Sequence, residues 1–208
     1  YMKSTALSIL LTAVAMLLPA LAEAETALKN PNLATSEELQ ALPNVDAGLA
    51  QAIIAGRPYL SASALDQALA ESMNDEERAA LYLQLFRPIN LNSASKQEIM
   101  LIPAMSKKMA HEFKEYRPYR NIDQFRREIG KYVDAAEVAR LEQYVFIPVD
   151  LNKAGESEIM AIPGMSKRMV HEFEEYRPYK DMDQFRREIG KYVDEDEVAR
   201  LESYVTLD

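Results

Sequence analysis

The sequence predicts an all-α protein of three tandem repeats, each built from two helix–turn–helix pairs packed on one small core. Three observations predict it. From Asn32 onward the chain repeats with a period of about sixty residues. Asn32, Asn92 and Asn152 correspond, as do Pro43, Pro103 and Pro163, and Arg57-Pro58-Tyr59, Arg117-Pro118-Tyr119 and Arg177-Pro178-Tyr179. Within each copy apolar residues recur at helical spacing, and no segment has convincing strand alternation. Capping residues and prolines mark where each helix starts and stops.

The elements follow in order. Lys3 precedes a mostly apolar run over residues 6–22, which ends in Ala22-Glu23-Ala24. A basic start, a short apolar core and an A-x-A end describe a secretory signal peptide over residues 1–24, cleaved after Ala24. The run is short for a membrane span and carries Pro19. Export to the periplasm or medium is the expectation. Residues 25–31 read as a linker. The first repeat, within residues 25–88, offers Thr35, Asp46, Ser61 and Asn74 as helix caps.

The second repeat, residues 89–148, is the clearest. Ser95-x-x-Glu98 is a capping box that opens a helix stopping at Pro103. Ser106 opens the next, with Met109, Ala110, Phe113 and Tyr116 on one face and an end before Pro118. Asn121 opens a third, with Ile122, Phe125 and Ile129 on one face and Gly130 ending it. Asp134 opens a fourth, with Val138, Leu141 and Val145 as its stripe. The third repeat, residues 149–208, places Gly155, Ser166, Asp181 and Asp194 at the four caps.

One turn recurs in every copy: Ile102-Pro103-Ala104-Met105-Ser106-Lys107-Lys108 and Ile162-Pro163-Gly164-Met165-Ser166-Lys167-Arg168, with Leu42-Pro43-Asn44-Val45-Asp46 as a divergent version. Proline stops a helix, a small residue lets the chain reverse, and a capping side chain starts the next helix. Such a turn aims the free N–H groups of a helix start outward, where phosphate can bind. Lysine or arginine in that first turn opposes the helix dipole, which argues for an anionic partner over a structural role.

Charge distinguishes the copies. The formal net charge of -9 argues against wholesale coating of nucleic acid. Residues 25–88 hold four Lys/Arg and nine Asp/Glu, net -5; residues 89–148 ten and eight, net +2; residues 149–208 nine and fifteen, net -6. Only the middle copy is basic. The absence of cysteine excludes disulfides, thiolate chemistry and Cys-ligated zinc.

Residues 90–99, Asn-Leu-Asn-Ser-Ala-Ser-x-x-Glu-Ile, followed by Ile-Pro-Ala-Met-Ser-Lys-Lys-Met-Ala, Tyr-Arg-Pro-Tyr and Ile-Gly-Lys-Tyr-Val-Asp, resemble the competence-type helix-hairpin-helix family, whose members include the exported DNA receptors called ComEA. The resemblance covers essentially the whole chain after the signal segment, three times over. It implies tandem double helix-hairpin-helix units in an exported, non-enzymatic protein. It also implies sequence-independent DNA binding through hairpin N–H groups, here Ala104, Met105, Ser106, Lys107 and Lys108 in the middle copy and Gly164, Met165, Ser166, Lys167 and Arg168 in the third. The family hairpin carries Gly-hydrophobic-Gly. Here Gly164 alone fills the first glycine position, and Asp46, Ser106 and Ser166 replace the second. The alternative is a protein–protein docking scaffold without DNA binding, with the acidic first unit as contact surface.

Other candidates carry less. Arg126, Arg127 and Lys131, repeated as Arg186, Arg187 and Lys191, can reach a DNA backbone, but pairing with neighbours such as Asp123 and Glu128 is the simpler role. His111-Glu112 with Glu115 lacks the second histidine of a zinc helix. No catalytic set, phosphate loop or cofactor motif is present in the sequence, so no catalytic residue, metal or cofactor is expected. Tyr116, Tyr119, Tyr132 and Tyr144 can stack on bases, but their spacing makes them packing residues first.

Overall fold

Caps and prolines cut the described chain, residues 28–207 of a computed structural model, into twelve short helices. The expected signal peptide, residues 1–24, lies outside the described residues. The first repeat contains α1 (Ser36–Gln40), α2 (Ala47–Ala55), α3 (Ala62–Ala70) and α4 (Asp75–Leu81). The second contains α5 (Lys96–Ile99), α6 (Lys107–Glu115), α7 (Ile122–Ile129) and α8 (Ala135–Glu142). The third contains α9 (Glu156–Met160), α10 (Lys167–Glu175), α11 (Met182–Ile189) and α12 (Glu195–Glu202). The protein is predominantly α-helical. No helix among the described residues is long and apolar enough to cross a membrane.

The caps explain the boundaries. Thr35, Asp46, Ser61, Asn74, Ser95, Ser106, Asn121, Asp134, Ser166, Asp181 and Asp194 each accept a hydrogen bond from a first-turn N–H. At Gly155 the reciprocal half alone remains, with the Glu158 carboxylate accepting from the Gly155 N–H. Gly130 ends α7 as expected, but not by a left-handed turn, since its φ is -61°. A Cβ there would stand 2.7 Å from the Arg126 carbonyl oxygen, so close approach is what requires glycine.

Two expectations are corrected at the repeat ends. Short strands exist: β1 (Ile89–Asn90) pairs in parallel with β2 (Val145–Phe146), and β3 (Val149–Asp150) with β4 (Val205–Thr206). Two-residue strands are too short to show alternation. Residues 29–31 are not linker, because Lys29 makes the equivalent bridge to Leu85. Each repeat is thus tied start to end by its own backbone.

A second tie recurs inside each repeat. The Asn92 amide donates to the Tyr119 carbonyl (2.9 Å) and accepts from the Tyr119 N–H (2.7 Å). Asn32 with Tyr59 and Asn152 with Tyr179 do the same. The neighbouring Arg57, Arg117 and Arg177 donate to the Ala34, Ala94 and Ala154 carbonyls. The recurring Asn and Arg-Pro-Tyr therefore fasten the start of each repeat to the chain leaving its second helix. The Arg–Pro peptide bonds are cis.

The core is aromatic and aliphatic. Phe113 and Phe125 meet edge to face at 5.3 Å, as do Phe173 and Phe185. The first two repeats share one continuous core, because α3 packs on α5 and Phe86 meets the Tyr144 ring at 5.1 Å. The third repeat has its own core. The expectation of one small core per copy therefore holds for the third repeat and fails for the first two.

Candidate nucleic-acid interface

The recurring turn joins the first two helices of each repeat and is termed here the leading turn; the trailing turn joins the last two. In the middle leading turn α5 ends before Pro103, and Ala104 takes a left-handed backbone at φ 59°. Asn44 and Gly164 do the same at 61° and 78°. Alanine there costs the chain about 1 kcal/mol relative to glycine. The Met105 N–H donates to the Ile102 carbonyl, and Met105 packs on the core. Ser106 Oγ accepts from the Met109 N–H at 3.0 Å. This leaves the N–H groups of Lys107 and Lys108 directed out of the helix start with no acceptor among the described residues. Ala104, Ser106, Lys107 and Lys108 are all exposed.

Two contacts lock the leading turn to the trailing one. Arg140 on α8 donates to the Pro103 carbonyl oxygen at 2.9 Å while Glu137 holds its guanidinium. Lys108 Nζ lies 5.7 Å from the centre of the Tyr132 ring, a cation–π distance. Tyr132 and Tyr116 share a hydroxyl–hydroxyl hydrogen bond of 2.8 Å, and Lys131 Nζ lies 4.9 Å over the Tyr116 ring. Tyr116 and the largely buried Glu112 push the Tyr132 phenol well above the ordinary tyrosine range, so it stays neutral. The two turns thus present one surface carrying Lys107, Lys108, Lys131 and the half-exposed Tyr132 ring.

The charges on that surface are not equivalent. Lys131 and Arg127 both pair with Glu128, which lowers the glutamate pKa below its usual range. Arg126 is paired with Glu142 and Asp123. The same pairs recur for Arg186, Arg187 and Lys191. Lys107 and Lys108 form no ion pair among the described residues. They are the positive charges still available to an outside anion at this turn.

The other two leading turns differ. In the first repeat Ala47 and Gly48 stand where the lysine pair stands in the second, and the Asp46 carboxylate occupies the helix start. In the third, Ser166, Lys167 and Arg168 repeat the exposed arrangement, and Arg168 lies 5.6 Å from the Tyr192 ring. Met165 is again half buried against the core. Yet Gly164 lies against the first repeat: a Cβ there would be 2.9 Å from Leu33 Cδ2. The trailing turn beside it is acidic, with Glu195 and Asp196 in place of Ala135 and Ala136. Each predicted set of five turn residues is brought together in its own repeat. No hydrogen bond, ion pair or ring contact among the described residues joins the two sets.

Sequence reasoning missed Arg140, Arg200, Leu33 and Arg87. The Glu137–Arg140 spacing was visible, but the reach of the arginine to a carbonyl 37 residues earlier was not. Leu33 and Arg87 had a signal in the repeat itself, since they stand where other copies have Ser93 or Lys153, and Ile147. His111 faces Glu115 at 3.8 Å, and among the described residues no three potential ligands gather around one point. Comparison with family models, with curated proteins and with solved structures returns no match.

Proposed function

We propose that the chain is an exported, non-enzymatic protein of three tandem double helix-hairpin-helix units, similar to the ComEA-type receptors, which holds DNA by its backbone without reading sequence. The middle unit carries the contact, through Ala104, Met105, Ser106, Lys107 and Lys108. The export half of the reading rests on the signal pattern in residues 1–24 and places the mature protein in the periplasm or outside the cell.

The single observation that supports the DNA half most is the pair Lys107 and Lys108. Both are exposed, both lack an ion-pair partner among the described residues, and both sit at a helix start whose N–H groups are open. Positive charge there is unfavourable for the helix alone and favourable once a phosphate is bound. The Lys108–Tyr132 contact supports the reading further, because it fixes the leading turn beside the trailing turn.

The test is a fluorescence anisotropy titration with a random-sequence duplex at several salt concentrations. The logarithm of the binding constant should fall linearly with that of salt, with a slope of about -2 if two phosphates are engaged. Lys107→Glu with Lys108→Glu should remove most of that slope. No binding at low salt would set the DNA reading aside in favour of a protein-docking scaffold.

A further inference from the structure

We infer that Gly164 lets the third leading turn dock against Leu33 of the first repeat, a contact that the middle leading turn, with Ala104, does not make among the described contacts. The inference is independent of DNA binding and concerns a partner within the same chain.

Four differences between otherwise matching positions carry it. Leu33 is apolar where the other copies have Ser93 and Lys153. Gly164 stands where the others have Asn44 and Ala104, although all three positions hold the same left-handed backbone. Alanine satisfies that backbone at 104, so backbone angle alone does not demand glycine at 164. Close approach sets it apart, because a Cβ would stand 2.9 Å and 3.1 Å from the two methyl carbons of Leu33, whose 41%-exposed side chain would have to swing aside. Ser203 replaces Gln143 and accepts from Arg87 Nη2 at 2.7 Å. Arg87 replaces Ile147 at the end of the preceding repeat, and its guanidinium also lies 4.1 Å from the Tyr204 ring centre.

The burial of one side chain reports the same joint. Arg140 and Arg200 have matching partners, Glu137 with the Pro103 carbonyl and Glu197 with the Pro163 carbonyl. The Arg140 side chain is 30% exposed, and the Arg200 side chain 3%. Asn32, Arg57 and Pro58 of the first repeat line the groove beside Arg200 and so account for the difference. Asn30 Nδ2 donates to the Tyr204 hydroxyl across the same joint. The joint therefore has an apolar contact at its rim, between Gly164 and the partly exposed Leu33, and hydrogen bonds on its flank.

A double-mutant cycle in the full chain tests this. Gly164→Ala should raise hydrogen exchange at the Leu33 and Ala34 N–H groups by about tenfold, since the clash pushes Leu33 away. Leu33→Ala should do the same, and adding Gly164→Ala to it should change exchange by less than about twofold. Fully additive effects would overturn the inference, because glycine would then be serving its own backbone. If Gly164→Ala does not fold, the unaltered chain decides by NMR: cross-peaks between Leu33 methyls and Gly164 α-protons are expected, and their absence in the folded protein overturns the docking.

Discussion

A single amide shows how much of the motif is structural. Asn92 donates to one backbone group of Tyr119 and accepts from another, and Tyr119 itself is buried. Asn92→Ala would leave both backbone groups without their partner, at a cost of about 2–4 kcal/mol. Asn92→Asp keeps the acceptor and loses the donor, so it should fall between. Urea denaturation measures both, and a loss under about 0.5 kcal/mol for the alanine variant would deny the clamp its role. The recurrence of Asn32, Asn92 and Asn152 was plain in the sequence. Their purpose was not, because the partner lies 27 positions away and is backbone. Gly164 misled for the same reason: a left-handed glycine was legible as a turn residue, and the Leu33 side chain above it was not. Lys107 and Lys108 were fully legible, since a charge at a helix start depends only on local sequence.

At the scale of elements, local chemistry was read well and short pairings were not. Every expected N-cap sits at a helix start, because a cap is decided within three or four residues. The parallel pairs Ile89 with Val145 and Val149 with Val205 join segments far apart in sequence, with too few residues for any period. Acid should loosen the elements that ion pairs fasten. Lys131 and Arg127 lower the Glu128 pKa, Lys191 lowers that of Glu188, and Arg140 lowers that of Glu137. A carboxylate with a depressed folded pKa contributes stability above its unfolded value of about 4.3, and that contribution is lost as pH falls through the folded value. Thermal melts should therefore hold from pH 7 to about 5 and decline below about 4. A main loss between pH 6 and 8 would contradict this, since the shifts of Glu128, Glu188 and Glu137 all run downward.

Across the whole molecule, the three repeats are joined more closely than their internal ties require. Arg87 is 1% exposed; it donates to the Tyr59 and Pro88 carbonyls and to Ser203, and it faces Phe146 and Tyr204. One side chain thus touches all three repeats. The repeat period was legible, and so was the basic middle unit, but the joint was not: Leu33 and Arg87 depart from their equivalents in the other copies, yet nothing local says which residues they meet. A fragment of residues 89–148 loses Phe86 from Tyr144 and Arg87 from Phe146. At about sixty residues it should be marginal on its own. A cooperative melt close to that of the full chain would show the joints to be energetically minor.

The same whole-molecule charge pattern ranks the two lysine-bearing turns. The third turn has the glycine of the resembling family, but it sits in a unit of net -6, beside Glu195 and Asp196 and against Leu33. The middle turn has the costlier Ala104 in a unit of net +2, with nothing from another repeat against it among the described contacts. Long-range repulsion acts before any close contact forms and is poorly screened at low salt. The most direct measurement is a paired anisotropy titration on duplex DNA at low salt, comparing Lys107→Glu/Lys108→Glu with Lys167→Glu/Arg168→Glu in the full chain. The middle-turn variant should lose more affinity and about two units of salt slope. A larger loss from the third-turn variant would contradict this and make Gly164 a phosphate contact after all.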